Sequence, residues 1–332
     1  MPNRVTIADV ARLAGVSTMT VSRVINAKGD VKPSTRERVE RAIARLEYRP
    51  SQAARSLTTR RSHTLGLLVP DITNPFFPAI VRGAEDVAWS EGYAVSLTNT
   101  VEDLARERAA FEHFEAHRVD GLIVCSARLP DRELAQLAQR HPACVLLNRS
   151  APLEGIASSL EVDDVRGAHL AIAHLANGGR RTIGLLAGPA RSISAQRRRW
   201  GASESLAFHQ LEHGPDLIEE GEPTEEAGRA AMAALLRRRP DLDAGLAYND
   251  VVAIGALEAL AEAGRRVPDD VAIVGCDDVR LASLVVPALT TLRTDGYQLG
   301  RQAADLLFER MRGGPPRRVV VTPELVVRAS AP

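Results

Sequence analysis

Residues 6–26 run Thr6-Ile7-Ala8-Asp9-Val10-Ala11-Arg12-Leu13-Ala14-Gly15-Val16-Ser17-Thr18-Met19-Thr20-Val21-Ser22-Arg23-Val24-Ile25-Asn26. Ile7, Val10 and Ala14 recur at helical spacing, Gly15-Val16 breaks the pattern, and Val21, Val24 and Ile25 start a second apolar stripe. Thr6 with Asp9 three residues on approximates a capping box for the first helix, and Ser17 is placed to cap the second. Two short helices separated by a few residues around a glycine form a helix-turn-helix. After Gly29 and Pro33, Ser34 with Glu37 is expected to open a third helix carrying Val39, Ala42, Ile43 and Leu46.

The charge around this stretch is uneven. Residues 1–61 hold thirteen Lys and Arg against five Asp and Glu, a formal +8, so the rest of a chain of zero net charge is −8. A short basic end on an acidic body is the electrostatic footprint of a nucleic-acid binder. In a helix-turn-helix the second helix enters the major groove with its first residues at the base edges. Its outward residues here are Thr18, Met19, Ser22, Arg23 and Asn26. Arg23 suits a base contact, because a guanidinium matches the two acceptors of guanine. Ser17, Thr20 and Asn26 suit phosphate oxygens, which position the helix without reading sequence.

Pro50 ends this unit, Ser51 to Thr58 reads as a short helix-like stretch, and Thr59 to Ser62 as a polar linker. From His63 onward, apolar strand-like runs (Leu65–Val69, Gly121–Cys125, Val145–Leu147, Ile183–Ala187, Gly245–Ala247, Val271–Val274) alternate with amphipathic helical stretches such as Phe77–Ser90 and Val251–Ala263. Alternating βα units imply a doubly wound parallel sheet. His63-Thr64-Leu65-Gly66-Leu67-Leu68 is echoed by Arg181-Thr182-Ile183-Gly184-Leu185-Leu186, which supports two such sheets. The expected fold is therefore an all-α headpiece on an α/β core of two doubly wound parallel-sheet lobes. Ligands of such sheets bind at the carboxyl ends of the strands, where Asp277, Asn249 and Asn148 follow apolar runs.

The 332 residues suit two or three domains, and 45% apolar with 25% charged residues is typical of soluble globular chains. Nothing approaches the roughly 18 consecutive apolar residues of a membrane span. Asp9 and Arg12 interrupt any signal-peptide pattern, and Cys125, Cys144 and Cys276 are sparse and without metal-type spacing. A reducing cytoplasm is expected, with no metal and no cofactor. An enzyme would be a rival reading, but no nucleophile elbow, phosphate-cradling loop or credible triad is present. His113 and His117 share a helix face, yet Phe114 stands where a metalloprotease helix needs its Glu, and a solvated face is expected. A periplasmic sugar carrier, the other rival, would lack the headpiece.

The strings Thr6 to Ser17 and Thr20 to Asn26 resemble the headpiece of the lactose/galactose-repressor (LacI/GalR) family. The likeness continues through Tyr48-Arg49-Pro50, Ala54-Arg55-Ser56-Leu57, Gly66 to Asp71, Asn74-Pro75-Phe76-Phe77, Val119-Asp120-Gly121, Asn249-Asp250, Val267-Pro268 and Gly275 to Asp278. The resemblance implies a repressor headpiece at 1–48, a hinge at 49–61 and an effector-binding, dimerising core at 62–332, shaped like periplasmic sugar-binding proteins. It implies a homodimer on double-stranded DNA at a pseudo-palindromic operator, with Thr6 and residues 17–20, Ser22, Arg23 and Asn26 on the DNA. Ala54 lets two hinge helices approach, and Leu57 wedges a minor-groove step. Arg198 is implied as the effector-binding arginine with Asp277 as its carboxylate partner. Asn148 and Asn249 are further contacts, Phe76 and Phe77 cleft-lining aromatics, and Ser192 and Ser194 effector-loop residues. Met19 cannot hydrogen-bond, so known operators do not transfer. Pro223 falls where relatives can place an aromatic, and with 4% aromatic residues a sugar is expected over a purine. Three crossings between lobes are expected near residues 162, 292 and 322. No leucine heptads follow Leu325–Arg328, so a tail-driven tetramer is not expected.

Overall fold

The computed structural model describes residues 5–25, 29, 31–48, 61–149 and 155–332, and the chain divides into two units, Met1–Ser62 and His63–Pro332. In the first unit α1 (Ile7–Ala14), α2 (Thr18–Ile25) and α3 (Pro33–Arg45) close around Val10, Ala14, Val21, Val24, Val39 and Ala42. The Asp9 carboxylate accepts the Thr6 N–H at 2.9 Å and the Thr6 hydroxyl at 2.7 Å, which closes the start of α1. Gly15 turns the chain at φ 63, a left-handed conformation that glycine adopts without a Cβ penalty. Ser17 Oγ then accepts the Thr20 N–H at 3.2 Å and caps α2. The third helix differs from expectation. It begins at Pro33, with the Lys32 carbonyl accepting from Thr35 and Arg36, and Ser34 lies inside its first turn. A proline's preset φ and missing N–H suit the first helical position. Asn26, Ala54, Leu57 and the hinge stretch 51–58 lie outside the described residues.

The second unit starts with β1 (Thr64–Val69), α4 (Phe76–Ser90), β2 (Ala94–Asn99), α5 (Leu104–Ala116), β3 (Gly121–Cys125), α6 (Asp131–Gln139), β4 (Cys144–Leu147) and β5 (Ser158–Val162). The chain then crosses to a second lobe, with α7 (Asp164–Asn177), β6 (Ile183–Ala187), α8 (Ile193–Phe208), β7 (Ile218–Glu220) and α9 (Glu225–Arg238). That lobe continues through β8 (Ala244–Ala247), α10 (Asp250–Glu262), β9 (Ala272–Asp277) and β10 (Thr290–Arg293). α11 (Gly296–Met311) and β11 (Arg318–Val321) return to the first lobe, and β12 (Glu324–Val326) ends in the second. The crossings fall close to the three positions expected.

The sheets have the orders β11-β5-β4-β3-β1-β2 and β12-β10-β9-β8-β6-β7. All pairings are parallel except β12 against β10. The echoed strands β1 and β6 thus hold equivalent places in the two sheets. Strand periodicity sends Leu65, Leu67 and Val69 to a core shared with α4 and α11, while Leu68 joins Phe111, Phe114 and Leu134 on the opposite face. In the second lobe Leu185 and Val274 face α7 and α8, whereas Leu186 and Ile273 face α9 and α10. Parallel sheets need this cover on both faces.

Helices α4 and α11 approach to backbone contact. A Cβ on Gly83 would lie 2.0 Å from the Tyr297 carbonyl oxygen, and one on Gly300 would lie 2.0 Å from that of Ile80. Because main chain cannot yield as a side-chain tip can, Gly300→Ala should lower the stability of the core by about 1–3 kcal/mol. A reduced urea midpoint is the expected reading, and an unchanged midpoint would show that the two helices separate freely.

Candidate functional site

Two surfaces gather the polar residues singled out in the sequence. On the headpiece, Val21 and Val24 bury the inner face of α2, which leaves Ser17, Thr18, Met19 and Arg23 exposed, with Thr20 and Ser22 half-buried. Met19 is 65% exposed. Ser17 Oγ and Thr20 Oγ1 lie 3.0 Å apart. Thr6 is exposed at the start of α1.

The second surface is a cleft between the two lobes of the core, lined by residues of both. Both sheets reverse strand order next to their first strand, between β1 and β3 and between β6 and β8. Crevices open at the carboxyl ends of strands where the order reverses. Asp71, Asn74, Phe76 and Phe77 follow β1, Ser126 and Arg128 follow β3, and Asn148 follows β4. Ser194 and Arg198 come from α8, Pro223 from the loop before α9, Tyr248 and Asn249 from the end of β8, and Asp277 ends β9. Several of these turns run through left-handed backbone at residues other than glycine: Ser126 at φ 49, Asn148 at φ 55 and Asp277 at φ 116. Such conformations cost energy and cluster at functional sites.

Arg198 is half-buried among three carbonyl or carboxylate groups. Its Nε donates to Asp164 Oδ1 at 2.8 Å, and its Nη1 donates to the Tyr248 carbonyl oxygen. Asp277, expected as its partner, stands at 3.9 Å from Nη2, too far for a hydrogen bond. Asp164 takes the closer place because it opens α7, directly behind α8. The guanidinium also lies over the Tyr248 ring, 5.1 Å from its centre.

The remaining expectations divide in the same way. Ser192 is fully buried behind the wall, where its Oγ caps α8 through the Ala195 N–H at 3.3 Å and meets the Tyr248 hydroxyl at 3.1 Å. Asn249 lines the cleft, but its Oδ1 caps α10 by accepting from Val252 at 2.9 Å, so its amide N–H groups are what it can offer a ligand. Asn148 lines the cleft with a buried Oδ1 that has no hydrogen-bond partner among the described residues. A buried acceptor left unpaired costs free energy that a ligand donor can recover. Phe76 and Phe77 meet edge to face with centres 5.5 Å apart. Asp71, Asn74, Glu102, Ser126, Arg128 and Tyr248 line the cleft as well and were not singled out. Ser126 and Tyr248 carried a usable signal, since each directly follows a strand beside a reversal of strand order.

Asp277 is crowded by acids. Burial pushes its carboxyl up to about 7, Asp164 on α7 adds to the rise, and Arg198 on α8 opposes it. Asp250, at the start of α10, is fully buried beside it and pushed well above the ordinary range by burial and by Asp277. Asp250 is held by the Thr291 hydroxyl at 2.5 Å and the Val279 N–H at 2.8 Å.

A helix-turn-helix unit joined to a two-lobed core with a polar cleft defines the class of ligand-controlled DNA-binding regulators. Residues 6–51 match the family model for bacterial regulatory proteins of the lacI family, and residues 172–331 that of periplasmic binding protein-like domains. The HTH-type transcriptional regulator GalR of Salmonella typhimurium (strain SL1344) is 38% identical over 328 residues, covering 98% of this chain and 95% of its own. The lac repressor dimer bound to operator and the anti-inducer ONPF superposes with a TM-score of 0.88 at 30% identity, covering 99% of each chain. The transcriptional regulator CelR–cellobiose complex superposes with a TM-score of 0.75 at 34% identity, covering 98% of this chain and 100% of its own. The chain belongs to the LacI family of bacterial regulatory proteins.

The crowding at Asp277 has a measurable sign. A carboxyl raised in the folded state contributes stability below its unfolded pKa and loses it as the pH climbs through the folded value. Melting temperature should therefore fall as pH rises from about 4 to about 7, with this contribution level above that, and Asp277→Asn should flatten the fall. Parallel profiles for the two proteins would show that Asp277 is ionised throughout.

Proposed function

We propose that this chain acts in the cytoplasm as a homodimeric repressor, with headpiece 1–48, hinge 49–61 and core 62–332. It reads a pseudo-palindromic operator in double-stranded DNA, and a sugar or sugar derivative in the interlobe cleft controls its operator affinity. The observation that carries this reading is the pairing, in one chain, of an exposed helix bearing Arg23 with a cleft whose polar groups come from both lobes. A polyhydroxylated ligand supplies both donors and acceptors, which suits a wall of carboxylates, amides and guanidiniums. The operators and sugars in the names of the solved relatives are consistent with it. Val286 at 94% exposure, with Leu284 and Leu281 beside it, supplies an apolar surface that suits a subunit contact. In the hinge, Ala54 allows close approach of two helices and Leu57 wedges the central minor-groove step.

Arg23 tests the DNA half of this reading. Arg23→Ala should weaken specific binding by about 1–3 kcal/mol and relax preference at one base pair. Replacing Arg36 or Arg38 should at most weaken binding evenly across sequences. Selection from a random duplex pool decides the matter: recovery of the wild-type half-site by the Arg23→Ala protein would remove Arg23 from base reading.

A further inference from the structure

Across the cleft from Arg198, the first lobe lines its wall with the buried Arg128. Arg128, just after β3, is 3% exposed, and Glu102, in the turn between β2 and α5, is 11% exposed. The pair is bidentate, with Nε to Glu102 Oε2 at 2.6 Å and Nη2 to Oε1 at 2.9 Å, while Nη1 donates to the Ser126 carbonyl at 2.8 Å. Behind them the buried Glu107 of α5 accepts the Arg128 backbone N–H at 2.9 Å. The turn that brings Glu102 to this place runs through Val101 at φ 51 and Glu102 at φ 57, a strained conformation for residues other than glycine. Both side chains line the cleft.

Burying a bidentate ion pair is seldom the most stable choice, because the desolvation cost offsets the attraction, and apolar residues of similar volume often serve as well. Holding it with strained backbone, on the wall of a cavity, calls for a use. A guanidinium has five N–H bonds, and three of those on Arg128 are committed within the chain. The other two, on Nη1 and Nη2, are anchored in direction by the fork that Glu102 holds.

We infer that Arg128, oriented by Glu102, is the effector-binding arginine of the first lobe, and that the effector bridges it to Arg198 of the second. This rests on the reading of the cleft as a sugar site. Each lobe then presents one guanidinium already matched by its own carboxylate, Glu102 or Asp164. Such groups donate directional hydrogen bonds while adding little net positive charge, which favours uncharged hydroxyls over phosphate or carboxylate groups. A ligand bonded to both lobes also acquires the differential affinity for one lobe arrangement that control of DNA binding requires.

The test is calorimetric titration of the full chain with D-ribose, D-galactose and cellobiose, alongside melting curves. The double variant Arg128→Leu/Glu102→Leu removes both charges of the pair together, so that of their side-chain partners only the Ser126 carbonyl loses a donor, and it should melt close to wild type. It should nevertheless bind the recognised sugar at least about tenfold more weakly, the loss of roughly one charge-assisted hydrogen bond. Affinity within about twofold of wild type would overturn the inference and leave the sugar reading standing. Wild-type protein that binds none of the three sugars would overturn both. Should the double variant fail to fold, Arg128→Lys decides. It keeps the charge beside Glu102 but lacks the planar fork, and unchanged sugar affinity in that variant would equally refute the assignment.

Discussion

The core is organised around two consecutive arginines that straddle the first passage between its lobes. Arg197 of α8 reaches Glu161 at 2.8 Å, at the end of β5 in the first lobe, and Arg198 reaches Asp164 at 2.8 Å, at the start of α7 in the second. Between those carboxylates lies the short segment that carries the chain across. Glu161 is 2% exposed and also accepts from Arg318 on β11, the strand leading into the last crossing. Charges buried this deeply persist only when paired, because stripping a single ion of water costs several kcal/mol. Ion pairs therefore tie the cleft wall to the residues that flank the first crossing and to the strand before the last.

This arrangement gives cleft occupancy a physical route to the rest of the molecule. A ligand shifts a two-state equilibrium only by its difference in affinity for the two states. The strand-end geometry supplies such a difference, since Asn148 and Ser126 come from one sheet and Asn249 and Asp277 from the other. A lobe arrangement that put both sets on one ligand would bind it more tightly than one that left half of them apart. On the same wall Asp277 carries a carboxyl raised by burial, with the fully buried Asp250 close to it.

How much of this could be read from the chain depended on how far each feature repeats. The headpiece helices and the buried strands were legible because period 3.6 and continuous apolar runs span many residues. The carboxyl-end placement of Asn148, Asn249 and Asp277 followed from the strands. The edges β2 and β7 were not read, since half-exposed strands such as Ala94–Asn99 lack an apolar run. Side-chain pairing was less accessible still. Asp164 carries no signal of its own in the sequence, and only the packing of α7 against α8 puts it ahead of Asp277 at Arg198. Ser192 carried the resemblance of a binding residue but spends its hydroxyl on a helix cap and on Tyr248. Arg128 and Glu102 sit at single positions on separate turns, 26 residues apart, and no local pattern joins them.

The central claim is that occupancy of the cleft and occupancy of DNA are energetically linked through the two-lobed core. Its most direct test is a pair of titrations on the full chain with one selected operator duplex and one recognised sugar. Operator affinity is measured with and without saturating sugar, and sugar affinity with and without saturating operator. Linkage requires the two ratios to be equal, and the account predicts a common factor of at least about tenfold. A sugar that binds the cleft while leaving operator affinity unchanged would contradict it.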